Sequence, residues 1–285
     1  MSKSFWNRMV SIPVNRLSEE ELKEAIPEWS EGSPGLERLL WRCHECKVAT
    51  GSCDAGNHGH PAYVTYTIDD SNRENLERII NATLRFANSD VGVRYYCNPW
   101  SGPDWHKGTI DTSPNKREDA EQFFEVLTSS LNLESKENEF GSVLMEVYDF
   151  LEDKCCPLGF RVIHDENNIY MIVFECVYME DYWEYFTELF AKVGFAKLPN
   201  EMHPTYMEWG IRVSKDNFVS LFQKILDVFM TEWNYKIPEN VEEIENLHYA
   251  AKLMSMKFGT DERGVKLMNE WLNAHKRPGK RDVNY

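Results

Sequence analysis

The chain has 285 residues, of which 42% are hydrophobic and 13% aromatic, and its formal net charge is −16. This length and apolar content suffice for a core of one large domain or two ordinary ones, and they exclude an intrinsically disordered protein. No apolar run reaches the roughly 18 residues that a membrane span requires. The negative charge argues against nucleic acid as a partner for the surface as a whole.

Two features of the sequence predict a cytoplasmic location. The first eight residues include charged side chains but no apolar stretch, so we expect no signal peptide. The seven cysteines are an odd number, which favours reduced thiols or metal ligands over a framework of disulfides.

Two short helices are predicted near the N-terminus. Ser18 and Glu21 have the spacing of a capping box, which starts a helix over residues 18–26. We expect Pro27 to end that helix, Pro34-Gly35 to form a turn, and a second helix to cover residues 36–42.

An α+β segment follows the second helix. Alternation predicts a strand over residues 63–68, with Val64 and Tyr66 on one face and Thr65 on the other. Ser71 and Glu74 repeat the capping-box spacing and start a helix that runs to about residue 87. Further strands are predicted at 91–97 and 109–112, and a helix at 118–131.

The polar stretch 133–140 is the best candidate for a linker between two halves. The second half is predicted to contain a helix over 142–154 and a hairpin of strands 159–164 and 169–176, joined by four polar residues. The remaining predicted elements are a helix at 179–193, a strand at 205–213, a helix at 217–233, and two helices at 241–258 and 261–274.

The mixed order of helices and strands predicts an α+β fold, with a mixed or antiparallel sheet and helices packed mainly on one face. We expect a helical lead-in with a Cys/His loop at 1–59 and two α+β halves at 60–132 and 141–236. A C-terminal helical segment with a basic tail covers 237–285.

Two short stretches of the sequence resemble each other and indicate that the halves are related. The stretches 60–68 and 203–211 share His, Pro, Tyr and Ile at the same offsets. This predicts that both are strands at equivalent positions in two related, split-βαβ-like halves. Chance similarity between nine-residue stretches is the alternative.

Five side chains that can bind a metal fall within 18 residues: Cys43, Cys46, Cys53, His58 and His60. A CxxC pair followed by a third Cys and a His can complete a tetrahedral zinc shell. We therefore predict one structural zinc ion held by the three cysteines and His58, with His60 as the alternative fourth ligand.

Three other interpretations of these residues remain open. The thiols could be free beside a Gly-rich loop, or Cys46 or Cys53 could have a redox role, which requires a depressed pKa. His58 and His60 could instead support metal-assisted hydrolysis together with nearby carboxylates and a histidine in a later loop, namely Asp69, Asp70, Asp104 and His106.

No nucleotide-binding or hydrolase motif is present, so a non-enzymatic interaction or regulatory protein is the preferred function and a metal-dependent hydrolase the alternative. Trp100 and Trp105, in a loop rich in Pro and Gly, are the predicted contacts with a protein partner. The basic tail at 275–281 is the one segment that we expect could touch nucleic acid.

Overall fold

The computed structural model of the chain contains one eight-stranded antiparallel sheet. It describes residues 18–57, 61–68, 70–86, 91–97, 108–114, 117–132, 139–154, 158–164, 169–177, 182–199 and 206–234. All of these residues belong to one compact unit. No helix among them is long and apolar enough to cross a membrane.

Seven α-helices lie in the described part of the chain. They are α1 (Glu19–Trp29), α2 (Pro34–Glu45), α3 (Arg73–Arg85), α4 (Ala120–Ser130), α5 (Glu139–Asp153), α6 (Trp183–Val193) and α7 (Phe218–Glu232). The strands are β1 (Thr50–Asp54), β2 (Tyr63–Thr67), β3 (Val91–Cys97), β4 (Gly108–Ser113), β5 (Gly159–His164), β6 (Ile169–Val177), β7 (Ala196–Lys197) and β8 (Tyr206–Ser214). This composition confirms the predicted α+β class.

The strands lie in the order β1-β2-β4-β3-β5-β6-β8-β7, and every neighbouring pair is antiparallel. The predicted hairpin of β5 and β6 is confirmed, with Phe160 opposite Phe174. Helix-to-helix contacts arrange α2, α4, α3, α5, α7 and α6 in that order across the sheet. The core lies between this helical layer and the sheet, because the alternate strand residues that face the helices are buried there.

The element order α-β-β-α-β-β-α occurs twice, first from α2 to α4 and again from α5 to α7. The strand order 1-2-4-3 of the first half recurs as 5-6-8-7 in the second. This alignment pairs β2 with β6 and β4 with β8. The two strands that share the His-Pro pattern are β2 and β8. They do not occupy equivalent positions in the two halves, because β8 corresponds to β4 and not to β2. A split-βαβ arrangement is not confirmed, and descent from a duplication stays a prediction.

The halves share one sheet, because β3 of the first half pairs with β5 of the second along five residues. The predicted lead-in 1–59 contains β1, which is the edge strand beside β2. Most of the predicted linker 133–140 and the whole segment 237–285 lie outside the described residues.

Local predictions at the first helices were partly wrong. The capping box is present, since the Ser18 backbone N–H donates to Glu21 at 2.7 Å and the Glu21 N–H donates to Ser18 Oγ at 3.3 Å. Pro27, however, lies inside α1, where it costs one backbone hydrogen bond near the helix end. Pro34 does not form a turn but occupies the first turn of α2, where its missing N–H would have no helical partner anyway.

The second predicted capping box is also wrong. A 3-10 turn over Asp70–Asn72 precedes α3, and Asn72 occupies the N-cap position without a capping bond from its side chain. The Asn72 Nδ2 instead donates to the Thr67 carbonyl oxygen at 3.1 Å. This contact ties the start of α3 to the end of β2.

Candidate functional site

The three cysteines of the predicted zinc loop lie on α2 and β1. Cys43 is fully buried on α2, and Cys46 is the C-cap residue of that helix. Cys53 lies on β1. Cys46 Sγ donates to the Leu131 carbonyl oxygen at 3.9 Å, and Cys53 Sγ donates to the Trp29 carbonyl oxygen at 3.6 Å. These two thiols therefore point to the ends of different helices.

Without a bound metal ion, burial favours the protonated form of two of these thiols. Desolvation raises the pKa of Cys53 to about 12, and the nearby carboxylates Glu31 and Asp54 add to that shift. Desolvation also raises the pKa of Cys43 well above its ordinary value. A redox or nucleophilic cysteine needs the opposite shift, so the raised pKa disfavours a redox role for Cys53.

Zinc binding stays a prediction. Within the described residues, no three His, Cys, Asp or Glu side chains are grouped so that they could hold a metal ion. His58 and His60 lie outside these residues, as do the side chains of the hydrolase interpretation and the two predicted partner contacts, Trp100 and Trp105.

A polar band crosses the sheet on the face opposite the helices, which we call the open face. One end of the band is a chain of hydroxyl and carboxylate groups on three strands. Ser52 Oγ on β1 lies 3.1 Å from Thr65 Oγ1 on β2. The Thr65 hydroxyl donates to Asp111 Oδ1 on β4 at 2.7 Å. Thr65 and Asp111 are directly opposite in the register, so both side chains lie on the same face.

Arg94 and Arg161 continue the band in the same row. Arg94 on β3 is opposite Asp111 on one side and Arg161 of β5 on the other. Two like charges directly opposite each other are destabilising unless an anion compensates them. Glu175 on β6 supplies that anion, since its Oε2 lies 3.1 Å from Arg161 Nη1 and 3.5 Å from Arg94 Nη2.

Arg161 spans three strands. Its Nη2 atom lies 2.8 Å from Glu208 Oε1 on β8, so the side chain passes over β6. Val173 lies opposite Arg161 on β6 and is fully buried although it is not part of the helix-facing core. Arg161 borders Val173 on one side, and Leu198 lies against Gly210, which is opposite Val173 on the other side. Long cationic side chains such as Arg161 cover apolar surface while the guanidinium binds elsewhere.

A glycine makes room for this network. A Cβ atom on Gly159 would lie 3.0 Å from the Tyr95 carbonyl oxygen and 3.2 Å from Glu175 Oε1. The Glu175 side chain is 7% exposed, that of Glu208 14% and that of Arg161 23%. The ion pairs are therefore largely fixed in place.

An apolar pair lies beside the band on the open face. Ile163 on β5 is directly opposite Met171 on β6, and both are half-buried. Arg212 on β8 is the next residue of this row and is exposed. The open face thus combines two half-buried hydrophobic side chains with an ordered set of charges.

Sequence reasoning did not identify the band. Strand alternation places Arg161 and Ile163 on one face of β5, which was a usable signal. The alternation does not reveal that β3 neighbours β5, so it could not bring Arg94 to Glu175.

No family model, no curated protein and no solved structure matches this chain.

Proposed function

We propose that this chain acts by binding a protein partner through the open face of its sheet, without catalysing a reaction. The observation that supports this proposal is the polar band beside the Ile163–Met171 pair, on a sheet face that no helix of the described residues covers. Antiparallel sheets with helices on one side commonly leave the other side to solvent or a partner.

The geometry favours binding because the charged groups are already ordered. Ion pairs and hydrogen bonds fix Arg161, Glu175 and Glu208 before a partner arrives. Binding a partner therefore costs less side-chain conformational entropy than it would if these long side chains were free to move. Ile163 and Met171 would supply buried apolar area at the centre of the contact.

The net charge of −16 suggests a basic partner. Residues 19–31 contain six exposed glutamates and a single lysine, Lys23, so this stretch is strongly acidic. Such a field increases association rates with basic proteins and weakens as salt concentration rises. Trp100 and Trp105 remain proposed contacts of the same partner.

A cytoplasmic location and a structural zinc ion belong to this proposal. Cys43, Cys46 and Cys53 are free thiols, which suits a reducing compartment. Native mass spectrometry tests the metal. A mass that corresponds to one zinc per chain would support the Cys/His loop as ligands, whereas an apo mass after purification with zinc would contradict it.

A matched pair of methionine substitutions tests the open face. Met171→Lys places a charge on the open face, whereas Met230→Lys places one on α7, where the methionine is 66% exposed. Proteins that co-purify with the wild-type chain would be quantified for both variants, together with the melting temperature. Selective loss of a protein partner in Met171→Lys supports the proposal, and equal capture by both variants contradicts it.

A further inference from the structure

One edge of the sheet is only partly paired. β7 contributes two residues, and these lie opposite Trp209 and Gly210 of the nine-residue strand β8. On its other side β8 pairs with β6 along all nine residues. The stretch from Arg212 to Ser214 therefore has no neighbouring strand on its outer side within the described part of the chain.

The contact with β7 determines which backbone N–H and C=O groups of this stretch point outward from the sheet. The Leu198 N–H donates to the Glu208 carbonyl oxygen at 2.9 Å, so the backbone groups of Glu208 point outward from the sheet. These groups alternate along a strand with a period of two residues. The N–H and C=O groups of Arg212 and Ser214 therefore point outward as well, in line with β7.

The charges around this edge differ from those of the chain as a whole. Lys197, Arg212 and Lys215 are all exposed. None of them forms an ion pair with a carboxylate among the described residues, and the neighbouring Asp216 is the one exposed acid that adjoins them in sequence. A chain with a net charge of −16 thus presents a locally cationic strand edge.

We propose that the outer edge of β8 from Arg212 to Ser214 binds an extended acidic peptide segment by strand addition. The incoming backbone would bond to the outward groups of Arg212 and Ser214, as in other sheets that accept a peptide strand. A residue opposite Arg212 would lie on the open face and would be acidic. A residue opposite Val213 would lie on the helix face beside a half-buried side chain and would be apolar.

The cations also give the edge selectivity. Exposed Lys and Arg on an edge strand disfavour pairing with another cationic edge, including that of a second copy of this chain. An acidic strand is not repelled in this way. This inference goes beyond the open-face proposal and stands without it.

Ser214 provides a sharp test because its backbone has φ −72° and ψ 158°, which proline adopts without strain. Ser214→Pro removes the outward N–H. Ser214→Ala is the matched control, since both variants lose the 3.1 Å bond from Asn217 Nδ2 to Ser214 Oγ but only the proline variant loses the donor. Binding of a fluorescein-labelled peptide of alternating Glu and Val would be measured by fluorescence anisotropy.

We expect saturable binding to the wild-type chain and to Ser214→Ala, and binding about fivefold weaker to Ser214→Pro, the effect of one lost hydrogen bond. Arg212→Gln should weaken binding and reduce its salt dependence, and this variant decides the matter if the proline variant does not fold. A Lys-Val peptide should not bind.

No saturable binding of the Glu-Val peptide, or equal affinity in the two Ser214 variants, would overturn the proposal. Partner capture that survives Ser214→Pro but not Met171→Lys would leave the open face as the binding surface and exclude the edge from that interaction.

Discussion

Gly141 on α5 lies directly against the backbone of Glu77 on α3, so closely that a Cβ atom on Gly141 would be 2.2 Å from the Glu77 carbonyl oxygen. The two helices belong to different halves of the chain, and this contact fixes their approach. A nearby hydrogen bond, from Ser142 Oγ to Glu77 Oε2 at 3.0 Å, reinforces the same crossing.

Gly141→Ala should therefore destabilise the protein by about 3 kcal/mol, because the added methyl group meets backbone atoms that cannot rotate away. Chemical denaturation with a two-state fit measures this. Ser142→Ala, one residue along, removes only the hydrogen bond and should cost about 1 kcal/mol. A Gly141→Ala variant as stable as the wild type would show that α3 and α5 can separate freely.

Glu121 on α4 should stabilise the start of α2. Its Oε2 accepts the Gly35 backbone N–H at 2.8 Å, and its Oε1 accepts a hydrogen bond from the Ser33 hydroxyl. Glu121→Gln removes the negative charge from the N-terminus of that helix and should cost about 1–2 kcal/mol in unfolding free energy.

The control for this prediction lies one turn away on the same helix. Glu125 pairs with Arg38 at the surface, where both side chains are about half exposed. Glu125→Gln should change the unfolding free energy by about 0.5 kcal/mol or less, because exposed ion pairs contribute little. Equal effects of the two substitutions would contradict the capping role of Glu121.

Arg161 should be the most important member of the polar band for stability. Arg161→Met removes the closest cation from Glu175, whose side chain is only 7% exposed, and leaves the more distant Arg94 nearby. We expect a loss of about 2–3 kcal/mol, because a largely buried carboxylate loses its closest partner. Arg212→Met, on the same face, should cost about 0.5 kcal/mol or less.

A double substitution separates the ion pair from packing. Arg161→Met combined with Glu175→Gln removes both charges, so part of the lost stability should return. A double variant that is destabilised by the sum of the two single effects would show that Arg161 and Glu175 are not coupled, which leaves the pair with Glu208 and the cover over Val173 as the contributions of Arg161.

In the metal-free chain, Cys53 should make stability depend on alkaline pH. The pKa of its thiol is about 12 in the folded chain, above the ordinary value of 9.0, because the thiol is desolvated. The folded chain thus keeps a proton that the unfolded chain releases. The corresponding stability is present below pH 9 and is lost as the pH rises towards 12.

Cys53→Ala should therefore flatten the fall in unfolding free energy over this range, whatever the substitution costs at neutral pH. Denaturation curves at several values between pH 8 and pH 11 measure the slope, with Ser220→Ala, at an exposed position on α7, as a control that leaves it unchanged. Parallel slopes for the wild type and Cys53→Ala would mean that the thiol ionises normally in the folded chain.

Local sequence determined the elements of this protein wherever short-range chemistry decides them. The capping box of Ser18 and Glu21, the alternation around Val64 and Tyr66, and the polar connection between β5 and β6 each depend on neighbouring residues. Pro27 and Ser71 show the limit of such signals. The first helix continues past the proline to Trp29, and Ile26 is buried within it. A hydrogen bond from Asn72 to the end of β2 is present in place of the second capping box.

Only the tertiary structure decided the order of the strands and, with it, the candidate surfaces. Arg161 meets Glu175 and Glu208 because β6 and β8 follow β5 in the sheet, although these residues are far apart in the chain. The same order leaves the edge of β8 beyond the two residues of β7, an element too short for any periodicity to predict. Strand order depends on how helices and strands pack over long sequence separations, and side-chain periodicity within a segment contains no information about its neighbours.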